Sequence, residues 1–152
     1  MKNAIYTTIG ASNHSGTARK EHDFYATYPE AIDRLFEVEK FPDTIWEPAC
    51  GMGHLSKRMI ELGKKVHSTD LINRGYGTGG VDFLKATENP YEAVITNPPY
   101  KIALEFIEKA LDISDEGTKI AMFLKLTFLE GKRRKPFFPV SYTHLTLPTK
   151  RI

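Results

Sequence analysis

Apolar residues along this chain switch repeatedly between two spacings, and that switching predicts its architecture. Ile32, Leu35 and Phe36 recur at helical intervals behind Pro29, which suits a first helical turn because its missing N–H is not needed there. The spacing predicts a helix over residues 29–38. Thr44-Ile45-Trp46 is a short β-prone run stopped by Glu47-Pro48, after which Leu55, Met59 and Leu62 return to the helical period until Gly63 ends it. Residues 66–70 and 93–96 read as further strands, Ala103, Phe106, Ile107, Ala110 and Leu111 as a helical stripe, and residues 120–126 as a last buried strand. Strands alternating with helices predict an α/β fold: a mostly parallel sheet with right-handed crossovers, helices on both faces, and ligands at the carboxyl ends of the strands.

The two ends break this pattern. Residues 1–22 are polar, rich in Ser, Thr, Asn and Gly, and without period, so they read as a flexible arm ahead of a single domain over residues 23–138. Residues 139–152 again lack a period. They resemble translated sequencing-adapter read-through, and the natural sequence is expected to stop near Pro139.

Composition narrows the class only modestly. A length of 152 residues with 41% hydrophobic content suits one core, and a net charge of +2 permits a nucleic-acid partner without demanding one. Cys50 is the only cysteine, which excludes an intrachain disulfide or a cysteine-built zinc site and suits a reducing, cytoplasmic compartment. Nothing in the sequence resembles a signal peptide or an apolar run of about 18 residues, so no membrane partner is expected. His14 and His22 lack further ligand partners, and no metal site is expected. Lys132-Arg133-Arg134-Lys135 suits either phosphate contact or a solvated loop, while Lys57, Arg58, Lys64 and Lys65 read as the wet face of the first crossover.

The candidate chemistry gathers where strands end. Glu47-Pro48-Ala49-Cys50-Gly51-Met52-Gly53 leads from a strand into a helix, and its glycines permit a tight turn and close approach of a ligand to the backbone. Leu55 stands where a dinucleotide fingerprint needs its third glycine, which disfavours a dinucleotide. Asp70 and Asp82 are expected at the ends of the next two strands. As acceptor-only carboxylates they suit a ribose diol and an adenine amino group respectively, with Phe83 over the adenine ring. One such carboxylate alone reads as a loop residue or a helix cap; three with a glycine loop read as a ligand site. Cys50 reads as a packing residue, because no base is marked beside it.

Asn97-Pro98-Pro99-Tyr100 follows the apolar strand and carries the most specific signal. The exocyclic nitrogen of adenine is a poor nucleophile because its lone pair is delocalised into the ring. An Asn97 side-chain oxygen and the Pro98 carbonyl, each accepting one N–H, would turn that amine towards tetrahedral geometry. Two prolines fix φ and stiffen the turn, and Tyr100 suits stacking on an extruded base. Neither a general base nor a metal is required before transfer.

On these motifs the chain resembles the Rossmann-like S-adenosylmethionine-dependent methyltransferases, specifically the small phage-type DNA adenine-N6 methyltransferases. The likeness runs from about Ile9 to Phe138. It includes Gly10-Ala11-Ser12-Asn13-His14, Asp23-Phe24-Tyr25-Ala26-Thr27, Ser68-Thr69-Asp70-Leu71-Ile72, the stretch from Gly75 to Phe83, and Leu126-Thr127-Phe128-Leu129-Glu130-Gly131. The resemblance implies methyl transfer from S-adenosyl-L-methionine to adenine N6 in DNA, in a cytoplasmic enzyme of a phage or its bacterial host, in settings such as restriction-modification. It places Tyr25 and Thr27 at the methionine end of the cofactor. Glu47, Pro48, Ala49, Gly51 and Gly53 supply the loop, Asp70 and Leu71 the ribose end, Asp82 and Phe83 the adenine. Asn97, Pro98, Pro99 and Tyr100 carry catalysis, with Asn97 also touching the cofactor. Family members continue into two more strands that this sequence lacks, so the sheet is expected to be incomplete. The same turn also serves enzymes that methylate RNA bases or a protein glutamine amide, and a shortened chain could retain cofactor binding alone.

Overall fold

The computed structural model describes residues 27–130; the arm, Tyr25, the basic run 132–135 and the tail lie outside the described residues. Four parallel strands, β1 (Thr44–Glu47), β2 (Lys65–Ser68), β3 (Ala93–Thr96) and β4 (Lys119–Met122), form one sheet in the order β2-β1-β3-β4. Among the described residues three helices cover it: α1 (Glu30–Val38), α2 (His54–Glu61) and α3 (Ala103–Ile113). The α/β class with a parallel sheet is therefore present, as the alternating periods predict.

Period-two alternation assigns the faces. Ile45 points into a cluster with Ile32 of α1, Leu55 and Met59 of α2, and Ala93 and Ile95 of β3. Its neighbour Trp46 points the other way, onto Phe83 and onto Phe106 and Ala110 of α3. Strands covered on both faces read as continuous apolar runs, and all four residues of β3 are buried, whereas edge strand β2 alternates exposed and half-buried positions. Arg58 of α2 donates to Asp33 of α1 at 2.7 Å and 2.9 Å, tying the two helices of one face together.

The strand order sets the place of the site. From β1 the chain crosses outwards to β2, then returns past β1 to β3, so the connections leaving β1 and β3 diverge to opposite sides. In an open parallel sheet, that reversal opens a crevice between the carboxyl ends of the two strands. The loops after Glu47 and Thr96 flank it.

Three boundaries differ from expectation. Strand β2 stops at Ser68 rather than running to residue 70, and Thr69 makes only an isolated parallel bridge with Thr78. No strand ends at Asp82. Gly75, Gly77 and Gly80 adopt positive φ, so residues 71–81 fold back along β2, with the Thr78 N–H on the Ser68 carbonyl and the Asp70 N–H on the Thr78 carbonyl, both at 3.0 Å. Asp82 instead caps a short 3₁₀ turn, Phe83–Lys85, accepting the Leu84 N–H at 3.0 Å. Finally, β4 ends at Met122 and is half-buried throughout. As an edge strand among the described residues it has one sheet neighbour, and the chain turns into a 3₁₀ segment, Leu126–Glu130, that buries Phe128 against Ala103 and Ile107.

Candidate functional site

Two loops interlock behind the glycine turn. The Cys50 N–H bonds the Thr69 carbonyl at 2.9 Å and the Gly53 N–H returns to the Cys50 carbonyl at 2.8 Å, closing a tight turn in which Gly51 has φ 56° and Gly53 φ 84°. The Tyr76 ring lies so close to Gly53 that a Cβ there would meet it at 2.5 Å. Gly77 reciprocates: a Cβ on it would stand 2.5 Å from the Ser68 carbonyl oxygen and 3.1 Å from Cys50 Sγ. Each loop thus occupies space that only a glycine in the other leaves open, and Lys57 adds a cation over the Tyr76 ring at 5.1 Å.

Asp70 joins the same assembly. Its Oδ2 accepts the Gly51 N–H at 2.8 Å and its Oδ1 the Ile72 N–H at 2.9 Å. A carboxylate has about four lone-pair sites, so each oxygen keeps capacity for one further donor. Two such acceptors side by side match a vicinal diol. Asp82 spends one acceptor position on its 3₁₀ turn and has Lys85 Nζ 3.9 Å from Oδ2, so it is both the cap that a lone carboxylate suggests and an acceptor at the cleft.

A cleft with about 830 Å³ of free space, open mouth included, runs between these loops and the Asn97 turn. Of the residues expected at a site, Thr27, Glu47, Ala49, Gly51, Asp70, Leu71, Asp82, Phe83, Asn97, Pro98 and Pro99 line it together. Gly53 and Pro48 do not. Pro48 is fully buried, and Gly53 works from behind through its contact with Tyr76. Tyr100 also lies off the cleft lining. Phe83 is 2% exposed and packs edge-on against Trp46 at 5.1 Å and beside Phe106 at 4.9 Å, so most of the ring is core and only part of it forms the cleft wall.

The cleft also contains residues that local reading did not single out. Met52, His54 and Leu55 follow from the loop that carries them. Arg74 comes from the fold-back of residues 71–81, and Ile102 and Phe106 from the start of α3. The repeated glycines from 75 to 80 were the available signal for Arg74, since they mark a chain that must double back.

Glu47 is the electrostatic centre. It closes β1, lines the cleft and is nevertheless 1% exposed. Burial raises its carboxyl to about 8, with the Asp70 charge adding to the rise and hydrogen bonds from the Ser56 hydroxyl and backbone opposing it. The Ser56 hydroxyl is in turn 2.6 Å from that of Ser68. The same burial, with the Glu47 and Asp70 charges, pushes the Cys50 thiol up to about 12, which supports reading it as packing rather than a nucleophile.

On the other wall, Asn97 Nδ2 donates to Thr27 Oγ1 at 2.5 Å, pinning the amide to the segment before α1. Pro98 is fully buried and Pro99 holds φ −55°, so the turn is fixed by ring geometry and packing together. It runs into the 3₁₀ turn Tyr100–Ile102, where the Ile102 N–H bonds the Pro99 carbonyl at 3.1 Å. The Lys125 ammonium sits 4.2 Å above the Tyr100 ring.

No known family model and no curated protein matches this chain. Among the described residues no helix is long and apolar enough to cross a membrane, and no group of three or more His, Cys, Asp or Glu side chains could hold a metal ion.

Proposed function

We propose that this cleft binds S-adenosyl-L-methionine and that the chain transfers its methyl group to the N6 amino group of adenine in DNA. The observation that carries the proposal is a juxtaposition. An interlocked glycine loop with two partly satisfied carboxylates, Asp70 and Asp82, shares one cleft with an Asn-Pro-Pro turn at the point where the strand order reverses.

The residues present fit that group. Asp70 retains one acceptor position on each oxygen for a ribose diol, Asp82 retains acceptors for an exocyclic amine, and buried Glu47 suits a cationic amino group. When bound, the cofactor supplies an electrophilic methyl on a sulfonium. The protein's part is to prepare the nucleophile. With its Nδ2 held by Thr27, Asn97 presents Oδ1 to one N–H of the target amine while the Pro98 carbonyl accepts the other. These bonds draw the nitrogen lone pair out of conjugation and stabilise the positive charge that grows on it, an effect realised only as the bond forms. Pro98 and Pro99 hold the geometry beforehand. Tyr100 takes the face of the extruded base, which requires the Lys125 ammonium to leave that ring.

Incubation of the full chain with methyl-labelled cofactor and, in parallel, duplex DNA, RNA and a glutamine-bearing release-factor substrate tests the acceptor. Label is expected on adenine in DNA. Label on RNA or protein but not DNA would reject the DNA assignment and keep the methyl chemistry; cofactor binding with no transfer to any acceptor would reduce the chain to a binding fragment.

A further inference from the structure

Glu47 combines three properties rarely found on one cleft residue. It lines the cleft, it is almost wholly buried, and its carboxyl continues into a chain of hydroxyls, Glu47 to Ser56 to Ser68, that ends on a half-buried serine at the tip of β2. The titratable and charged groups that share the cleft with it are Asp70 after β2, Cys50 in the glycine loop, His54 at the start of α2, Arg74 in the fold-back loop and Asp82 before the 3₁₀ turn. Asp70 repels a second negative charge, and no cation donates to Glu47 in any hydrogen bond described for it.

We infer that Glu47 is a neutral carboxylic acid in the ligand-free cleft, and that seating a cationic amino group beside it expels one proton to solvent. The inference rests on the cofactor reading above and adds a proton to it. No redox partner is needed: the O–H bond of Glu47 breaks, the proton leaves to solvent, and the new carboxylate pairs with the ammonium. Burial that raises the acid to about 8 supports the neutral starting state. Because an α-amino group titrates near 7.7–8.0, the ligand arrives cationic at pH 6.5, and the proton released comes from the pair it forms with Glu47.

Calorimetry on the full chain at pH 6.5, in two buffers of different ionisation heat, tests this with two ligands. S-adenosylhomocysteine carries the amino group; 5′-methylthioadenosine carries the nucleoside without it. The expected result is release of about one proton per S-adenosylhomocysteine, none for 5′-methylthioadenosine, and an apparent Kd for the first that tightens roughly tenfold from pH 6 to pH 7. Glu47→Gln is expected to abolish the release. Should that variant not fold, the contrast between the two ligands on the wild type still decides. S-adenosylhomocysteine binding with no release, or equal release by both ligands, would overturn the inference and leave the cofactor reading intact. Failure of both ligands to bind would overturn the two together.

Discussion

The two walls of the cleft are held in different ways. The glycine-loop wall supports itself: Gly51, Gly53, Tyr76, Gly77 and Asp70 contact one another within residues 47–82, through backbone hydrogen bonds and through space that side chains would fill. The Asn97 wall is stiff inside its own turn but anchored to residues far away in sequence, Thr27 before α1 and Lys125 after β4. One wall is prebuilt. The other is positioned by the segments at both ends of the described chain, which under the proposed function suits a surface that admits and releases DNA.

That contrast predicts an asymmetry in the response to substitution. The largest stability loss is expected at the interlock. Gly77→Val places a branched side chain at φ 64° against the Ser68 carbonyl, and should cost at least about 2 kcal/mol, lowering Tm by roughly 10 °C in a thermal melt. Gly80→Ala is the control. Its φ of 73° carries similar backbone strain but nothing lies within 4 Å of the new Cβ, so about 1 kcal/mol is expected. Equal losses at the two sites would mean that strain alone, and no interlock, holds this wall.

Asp70→Ala should weaken S-adenosylhomocysteine binding by at least roughly 10- to 100-fold, since even one charge-assisted hydrogen bond is worth about 1.5–3 kcal/mol and the Gly51 and Ile72 N–H groups lose their acceptor as well. Titration calorimetry reads this directly, and an unchanged Kd would remove Asp70 from the ligand site.

A separate effect appears in the pH dependence of folding. The Glu47 carboxyl is raised from 4.5 to about 8, so between those values the folded chain holds a proton that the unfolded chain has lost. Its contribution to stability is therefore present below about pH 4.5 and falls as pH rises towards 8, by at most about 1.4 kcal/mol per pH unit. Urea titrations of the ligand-free protein at pH 6 and pH 8 should show the lower stability at pH 8, and Glu47→Gln should flatten the difference. Least visible of all, Cys50 should react only slowly with thiol reagents at pH 8 in the folded protein, because its thiol is held near 12.

The sequence carried much of this plan, unevenly. Helix α1, strand β1, the glycine turn and the Asn97 turn were legible because glycines and prolines punctuate clear periods, and Asp70 stood out as a carboxylate closing the β-prone segment from Val66 to Thr69. What was lost depends on distance in the fold. Asp82 read as a strand end, but the glycines before it bend the chain back and leave it capping a 3₁₀ turn. Residues 123–126 looked like a continuing strand by composition, yet the chain leaves the sheet after Met122. Tyr76 against Gly53, Ser68 linked through Ser56 to Glu47, and Lys125 over Tyr100 join residues about twenty or more positions apart, Arg74 enters the cleft by a fold-back, and no local period encodes such contacts.

The most direct test of the central claim, that the two walls form one methyl-transfer site, is a single-turnover reaction on duplex DNA with N6-methyladenine quantified by mass spectrometry, run with the wild type and with Asn97→Ala at equal cofactor occupancy. The account predicts N6-methyladenine from the wild type and, at that matched occupancy, a rate at least about 10²-fold lower from the variant. Product formed by Asn97→Ala at the wild-type rate would contradict it.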